Sequence, residues 1–99
     1  MNKTYYLSLQ AEEDLADIWS FIALDSKNPE IATKYIQQIE DTCSRIFLFP
    51  KKGEARHYLY PGLRKWTFKS HIIYYTIHKD HIRIERVLRG SQDQKNKFR

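Results

Sequence analysis

The chain has 99 residues, with 17 Lys and Arg against 12 Asp and Glu, which gives a formal net charge of +5. This length accommodates one domain and excludes a large multidomain enzyme. A single cysteine excludes an internal disulfide and a cysteine-rich metal cluster. The apolar runs are far shorter than the about 20 residues of a membrane span, and the N-terminus lacks the apolar segment of a secretory signal. We therefore expect a cytoplasmic protein without direct membrane contact.

The charge is distributed unevenly along the sequence. Residues 1–50 contain four basic and eight acidic side chains, whereas residues 51–99 contain thirteen basic and four acidic ones. A basic half can neutralise phosphates, receive an acidic protein segment, or present a solvated face. Composition does not choose among these three interpretations.

The first predicted strand covers residues 3–7, which are short and rich in aromatic side chains. Ser8 follows as a helix N-cap, with acidic residues in the early turns. Apolar residues then recur at helical spacing and form one stripe: Ala11, Leu15, Ile18, Trp19 and Ile22. This pattern predicts a helix that ends between Leu24 and Ser26, with Trp19 in the core.

A second helix start follows after a short connection. Asn28, Pro29 and Glu30 combine an N-cap, a proline at the first helical position and an acid in the first turn. Apolar residues repeat every three or four positions until Pro50, which disfavours helix in the residue ahead of it. Because the connection is only about four residues, the two helices are predicted to pack as an antiparallel hairpin.

After Pro50 the pattern changes to strands. Residues 58–60 are predicted as a short strand, residues 63–69 alternate, residues 72–77 form a nearly continuous apolar run, and residues 82–88 form the last strand. The expected fold class is α+β: an N-terminal strand and a two-helix hairpin packed on one face of a small, mostly antiparallel sheet. We expect a single domain over residues 1–93 and a polar C-terminal tail over residues 94–99.

Few residues suggest catalysis or metal binding. The four histidines lie near predicted turns, and His78 and His81 have no third ligand nearby in the sequence, so we expect no metal site and no cofactor. Cys43 lies on an apolar helical stripe and is interpreted as a buried structural thiol. Trp66, which has basic neighbours, is interpreted as core, with stacking on a partner as the alternative. We assign no catalytic residue.

The basic residues on or beside the last strands predict a recognition surface instead. Arginine holds phosphate or carboxylate groups bidentately, but it does not serve as a general base near neutral pH. The predicted target-binding residues are Arg64, Lys65, Lys69, Arg83 and Arg89.

The two arginines of the last strand are predicted to differ in role. Strict alternation places Ile84, Arg86 and Leu88 on the side that faces the helices, and Val87 and Arg89 on the opposite side. An arginine near the core requires a carboxylate, so we predict a structural ion pair between Arg86 and an acid of the first helix. Asp14 or Asp17 could supply it, and we prefer Asp14. Arg89 is predicted to be accessible to a target.

Several short motifs occur together in this chain. They are A-x-x-D-L-x-x-I-W at 11–19, F-P-x-x-G at 49–53, P-G-x-R at 61–64, I-I-Y-Y at 72–75, and I-x-I-x-R-V-L-x-G from 82, ending in Asp93. In this order they resemble the ParE/RelE superfamily of bacterial toxins from toxin–antitoxin modules, and most closely its ParE branch. The resemblance spans about residues 5–93 and implies the same helical hairpin on an antiparallel sheet.

The resemblance also implies partners and activity. ParE-type toxins inhibit DNA gyrase, and a cognate ParD-like antitoxin neutralises them; RelE-type toxins cleave messenger RNA on the ribosome. Arg89 stands where ParE sequences often have histidine, and Ile72 stands near the usual position of a RelE strand arginine. We therefore expect a gyrase inhibitor that is not an enzyme. The alternatives are a RelE-like ribosome-dependent endoribonuclease, with His71 or Tyr74 moving protons, and a module that only binds its antitoxin. Direct nucleic-acid contact could occur through the basic sheet.

Overall fold

The computed structural model describes residues 4–90 and 94–98. The elements are β1 (Tyr5–Leu7), α1 (Leu9–Ser26), α2 (Pro29–Leu48), a 3-10 turn (Pro50–Lys52), β2 (Glu54–Ala55), β3 (Arg64–Phe68), β4 (His71–Ile77), β5 (Ile82–Arg89) and α3 (Gln94–Lys97). The sheet order is β1-β5-β4-β3-β2, with β1 parallel to β5 and the other pairs antiparallel. The predicted fold class is confirmed. Asp93 and the beginning of the predicted first strand lie outside the described residues.

The helical hairpin begins and ends as its capping residues predict. Ser8 caps α1 by accepting a hydrogen bond at Oγ from the Ala11 N–H, at 3.0 Å, and its hydroxyl donates to the Glu85 carbonyl at 2.7 Å. Asn28 caps α2 through the Glu30 N–H at 3.0 Å. Lys27 closes α1 in the left-handed region, with φ 57°. The cap at Ser8 therefore also attaches the start of α1 to β5.

The main core lies between the helical hairpin and one face of the sheet. Its buried members come from both helices and from the two central strands: Ala11, Leu15, Ile39, Cys43, Ile46, Ile73, Tyr75, Ile82, Ile84 and Val87. Trp19 is not among them. Its ring is 37% exposed, and its Nε1 donates to Thr33 Oγ1 at 3.0 Å across the hairpin. The prediction of Trp19 as core is wrong, because the polar end of the indole finds its partner at the surface.

The opposite face of the sheet has a smaller cluster. Leu63, Tyr74 and Leu88 are buried there, with Phe98 packed against Tyr74 at a ring centroid distance of 4.9 Å. The predicted polar tail thus contains a helical turn and an aromatic residue that contacts the sheet. The predicted strand at residues 58–60 is wrong: this segment turns tightly, and one backbone hydrogen bond, from the Arg56 N–H to the Leu63 carbonyl, joins its two ends.

A β-bulge divides β5 into two parts. Tyr74 pairs with Arg86, whereas the next residue, Tyr75, pairs with Ile84. Glu85 is therefore an extra residue, and side chains beyond it change faces. Val87 packs in the main core and Leu88 in the smaller cluster. The prediction of strict alternation is wrong from Glu85 onward, because the bulge at this residue shifts the register of β5 against β4.

The F-P-x-x-G segment is held against the sheet by two side chains. The Tyr75 hydroxyl donates to the Pro50 carbonyl, and Arg64 Nη1 donates to the Gly53 carbonyl at 2.7 Å. A Cβ at Gly53 would lie 1.9 Å from Tyr75 Oη and 2.9 Å from the Lys65 carbonyl oxygen. Glycine is therefore required here by the close approach of its neighbours.

Candidate functional site

Asp14 and Arg86 form a bidentate ion pair at the edge of β5. Arg86 Nε donates to Asp14 Oδ2 and Nη2 donates to Oδ1, each at 2.8 Å. The Val87 N–H also donates to Asp14 Oδ2, at 2.9 Å, and Arg86 Nη1 donates to the Lys97 carbonyl at 3.2 Å. Hydrogen bonding to Asp14 raises the pKa of Arg86. The contact that the sequence predicted is therefore present, and its contribution to stability remains a prediction.

The chain topology explains how this pair forms. β1 pairs with β5 only from Ile82 to Ile84, so the edge of β5 beyond that point has no neighbouring strand among the described residues. The first turns of α1 run along this edge. Here the Asp14 carboxylate accepts from the Val87 N–H, and the Ser8 hydroxyl donates to the Glu85 carbonyl. Arg86 reaches Asp14 from the bulge beside it. The side chains of Ser8 and Asp14 thus form the hydrogen bonds that a neighbouring strand would otherwise make with these backbone groups.

The five predicted target-binding residues do not form one surface. Arg64 and Arg89 lie on the helix side, because they align with Tyr75 and His71 in the sheet. Lys65 and Arg83 align with Tyr74 and Thr76 and therefore lie on the opposite side. Lys69 lies in the turn between β3 and β4, with φ 52°. The basic sheet expected from the sequence is therefore divided between two faces.

All five residues contact groups of their own chain, and Arg89 does so beside the Phe21 ring. Arg64 binds the Gly53 carbonyl, Lys65 Nζ lies 3.7 Å from Glu54 Oε2, Lys69 Nζ donates to Gln38 Oε1 at 3.1 Å, and Arg83 Nε lies 3.3 Å from Glu85 Oε1. Arg64 therefore has a clear role in holding the loop. The Arg83 side chain is half exposed, whereas that of Glu85 is 16% exposed and also accepts a hydrogen bond from Thr76 Oγ1 at 2.9 Å. A partner that displaced Arg83 would therefore leave Glu85 with its Thr76 contact.

Arg89 differs from its prediction in position. It was expected on the face opposite the helices, but the bulge places it on the helix side together with Val87. Its guanidinium carbon lies 5.9 Å from the ring centroid of Phe21 on α1. Arg89 is exposed there, at the rim of a cavity.

This cavity has a volume of about 420 Å³ and lies between the helical hairpin and the ends of β4 and β5. Its lining combines apolar residues of α1 with polar residues of α2 and the sheet: Asp14, Asp17, Ile18, Phe21, Ile22, Tyr35, Ser70, His71, Val87 and Arg89. A volume of this size and a mixed lining are typical of small-ligand sites.

A buried histidine forms part of the cavity wall. His71 is 7% exposed, and its Nδ1 lies 2.7 Å from the Tyr35 hydroxyl oxygen, within hydrogen-bonding distance. Burial, and then the charge of Arg89, lower the pKa of His71. Burial raises the pKa of Tyr35, and the nearby Ser70 side chain offsets this to a smaller extent. The expectation of a solvated turn histidine is wrong for His71.

Sequence reasoning did not connect Tyr35 with His71. Tyr35 was one apolar-stripe position among several on α2, and the two residues are 36 positions apart. Only the packing of α2 across the sheet brings them together. No spacing rule within one helix or strand could have identified this pair.

Among the described residues, the remaining reactive side chains do not assemble a second site. Cys43 is buried, and burial raises the pKa of its thiol to about 12, so it remains protonated near neutral pH. The His78 and His81 rings stack at a centroid distance of 4.9 Å, and His81 Nδ1 is hydrogen-bonded to Asp80. Within residues 4–90 and 94–98, no three His, Cys, Asp or Glu side chains are grouped to hold a metal ion. No helix in those ranges could cross a membrane.

Comparisons with known proteins agree on one family. The family model described as "ParE toxin of type II toxin-antitoxin system, parDE" matches residues 5–94. A "Toxin ParE1" of Caulobacter vibrioides is 31% identical over 75 residues, covering 76% of this chain and 77% of the relative. A "Toxin ParE1" of Mycobacterium tuberculosis is 29% identical over 77 residues, covering 78% of each chain.

A solved structure supports the same fold. A chain of the chromosomal ParDE toxin–antitoxin system from P. aeruginosa superposes with a TM-score of 0.72 at 23% identity. The alignment covers 87% of this chain and 94% of that one. The order of strands, hairpin and sheet described above is therefore shared with a known ParDE component. Together with the family match over residues 5–94, these findings show that the chain belongs to the ParE toxin family of type II toxin–antitoxin systems.

Proposed function

We propose that this toxin inhibits DNA gyrase by binding it in the cytoplasm, and that a ParD-like antitoxin neutralises it. The observation that carries this proposal is the ParE family match over residues 5–94, together with relatives that are named as ParE toxins. Inhibition by binding requires an accessible surface and no proton-transfer chemistry. The chain supplies basic residues that could meet an acidic protein surface or DNA held by the target.

The preferred target-contact surface is the sheet face that carries Lys65 and Arg83. The Arg83 side chain is half exposed, and its partner Glu85 keeps the hydrogen bond from Thr76 Oγ1 when Arg83 turns toward the target. Lys65 lies on the same face, where its Nζ is 3.7 Å from Oε2 of the exposed Glu54. Both side chains can therefore reorient toward phosphates or carboxylates without disturbing the main core. Arg64 is a poor candidate, because its guanidinium holds the Gly53 carbonyl.

Gyrase supercoiling and DNA-cleavage assays with the purified toxin test this proposal. We expect inhibition of supercoiling, accumulation of cleaved DNA, and reversal of both by the antitoxin. The Lys65→Ala/Arg83→Ala double variant should weaken inhibition about tenfold or more, the range for removing two charged contacts. Lys34→Ala, an exposed change on α2, is the matched control and should leave inhibition unchanged. Normal supercoiling at a large excess of folded toxin would rule out gyrase as the target.

Cleavage of messenger RNA on the ribosome is the second candidate, and the Tyr35–His71 pair favours it. A neutral, buried histidine that is hydrogen-bonded to a tyrosine can move a proton during attack by a 2′-hydroxyl. The carboxylates of Asp14 and Asp17 in the same cavity lining disfavour a phosphodiester there. Discrete cuts in ribosome-bound RNA that disappear in Tyr35→Phe and His71→Ala variants would establish this activity in place of gyrase inhibition.

A further inference from the structure

One buried side chain in the cavity wall has a ring nitrogen without a hydrogen-bond partner among the described residues. His71 is 7% exposed and belongs to the lining of the cavity. Its Nδ1 lies 2.7 Å from the Tyr35 hydroxyl oxygen, and Nε2 forms no hydrogen bond within residues 4–90 and 94–98. Buried polar atoms are almost always paired, so an unpaired one beside a cavity indicates a place for the polar group of a ligand.

The polar group that fits beside His71 has to suit both tautomers of the ring. The hydrogen bond between Nδ1 and the Tyr35 hydroxyl can form with the ring proton on either nitrogen, so Nε2 is a donor in one tautomer and an acceptor in the other. A hydroxyl group both donates and accepts, and it therefore pairs with Nε2 in both tautomers. A carboxylate pairs only with a donor, and an ammonium group pairs only with an acceptor.

The charges around the cavity favour an uncharged ligand. Asp17 and Arg89 are both exposed and bring opposite charges to the lining. The Asp14 carboxylate accepts hydrogen bonds from Arg86 and from the Val87 N–H, so its charge is already paired. An anion would be repelled by the carboxylates and a cation by the guanidinium, and either ion would lose hydration on entering. A neutral molecule avoids both costs.

We propose that this cavity binds a small, uncharged aromatic alcohol, whose hydroxyl pairs with His71 Nε2 while its ring packs against Ile18 and Ile22. These two isoleucines line the cavity from α1 and are partly exposed, so the ring would cover apolar surface that the chain leaves open to solvent. The volume of about 420 Å³ accommodates such a molecule. The cavity lies on the helix side of the sheet, opposite Lys65 and Arg83, and the site does not depend on gyrase being the target.

Titration of the full-length ¹⁵N-labelled toxin with three matched probes tests the proposal. The probes are 3-phenylpropan-1-ol, 3-phenylpropionate and 3-phenylpropylamine, which share one apolar body and differ in charge. We expect shifts at the backbone amides of Ser70, His71 and Val87, and the alcohol should bind about tenfold more tightly than either charged probe. A charged probe that binds as tightly as the alcohol would contradict the proposed ligand class. Absence of shifts at these amides with every probe would mean that water alone pairs with Nε2, and it would overturn the proposal.

Two variants and one control sharpen the assignment. His71→Phe keeps an aromatic ring but removes both nitrogens, and it should weaken binding of 3-phenylpropan-1-ol about tenfold. Ile22→Trp should fill the cavity and abolish binding, whereas Ile31→Trp, on the exposed surface of α2 outside the cavity, should not change it. Amide spectra of each variant establish that the fold is retained, and the probe series on the unmodified toxin decides the ligand class without any variant. Unchanged affinity in a folded His71→Phe variant would contradict the role of Nε2.

A final arm distinguishes a free alcohol from a protein side chain of the same chemistry, such as the phenol of a tyrosine. The same titration is repeated on the complex of this toxin with its cognate antitoxin. Retained binding of 3-phenylpropan-1-ol supports a small-molecule site. Loss of binding, with cavity amides already shifted by the antitoxin, would overturn the small-molecule assignment and identify an antitoxin side chain as the occupant.

Discussion

The two arginines of β5 lie three residues apart and have opposite surroundings. Arg86 is enclosed by Asp14 and the Lys97 carbonyl, and its side chain is 17% exposed. Arg89 is exposed beside Phe21 and borders a cavity. Near Arg86, the Val87 N–H and both Asp14 carboxylate oxygens are hydrogen-bonded, whereas Arg89 borders a cavity of about 420 Å³. The first region is closed by its own side chains, and the second is open at the cavity.

The bulge at Glu85 produces this difference. It turns Arg86 toward the edge of β5 that α1 covers, and it places Arg89 on the helix side beyond the first turns of that helix. Arginine thus forms an ion pair at one point of the strand and lies at the rim of a cavity three residues later. The function of a surface charge is decided by the backbone register and by the carboxylates within reach.

Of the variants that test this contrast, Asp14→Ala should have the largest effect on stability. The change removes the carboxylate that accepts from the Arg86 guanidinium and from the Val87 N–H in a largely buried place, and it leaves Arg86 with the Lys97 carbonyl. We expect a loss of about 3–5 kcal/mol in the free energy of unfolding, measured by urea denaturation. Asp17→Ala, on the same helix but exposed, is the control and should cost less than about 0.5 kcal/mol. Equal stability of the two variants would show that the closed region does not stabilise the fold.

Arg86→Ala should have a smaller effect than Asp14→Ala. Asp14 then retains the Val87 N–H and loses only the charged partner. We expect a loss of about 1–3 kcal/mol, the range for leaving one buried polar group partly unsatisfied. A double-mutant cycle with Asp14→Ala measures the coupling between the two side chains. Fully additive losses would indicate that the ion pair contributes nothing beyond its separate contacts.

The sequence predicted much of this fold because its elements are locally encoded. Ser8, Asn28 and Pro29 cap the helices, the apolar stripes fix their inner faces, and Pro50 follows the end of α2. The pairing of Asp14 with Arg86 was predicted from a general requirement, that an arginine near the core needs a carboxylate. These inferences use spacings within one element, or a rule that holds for any fold.

The rest depends on contacts between distant segments. The bulge at Glu85 has no sequence signature, since Glu85 alternates like any strand residue until the pairing with β4 is known. The position of Arg89 and the cavity with Tyr35 and His71 both follow from it and from helix packing. The aromatic spacing of residues 58–60 is typical of a strand. In the folded chain this segment instead forms a turn that is closed by the backbone hydrogen bond between Arg56 and Leu63.

The open region should respond to pH through His71. Its folded pKa lies below the value near 6.5 of the unfolded chain, so below that pH the unfolded state binds a proton that the folded state excludes. The free energy of unfolding should therefore fall as the pH decreases from 7.5 to 5.5. In His71→Phe this component is absent, and the slope should be smaller. Urea denaturation at several pH values measures both slopes, and identical slopes would mean that His71 titrates normally in the fold.

Arg89→Ala should have the smallest effect on stability. The side chain is exposed, and its contact with the Phe21 ring is of the kind that contributes only about 0.5 kcal/mol at a surface. We still expect this variant to weaken toxicity, because it removes an exposed positive charge from the helix side of the sheet. Thermal melts and growth assays should be run beside Arg86→Ala, whose ion pair holds α1 to β5. If Arg89→Ala were destabilised but fully toxic while Arg86→Ala melted like the wild type, the closed and open regions would have been assigned the wrong way round.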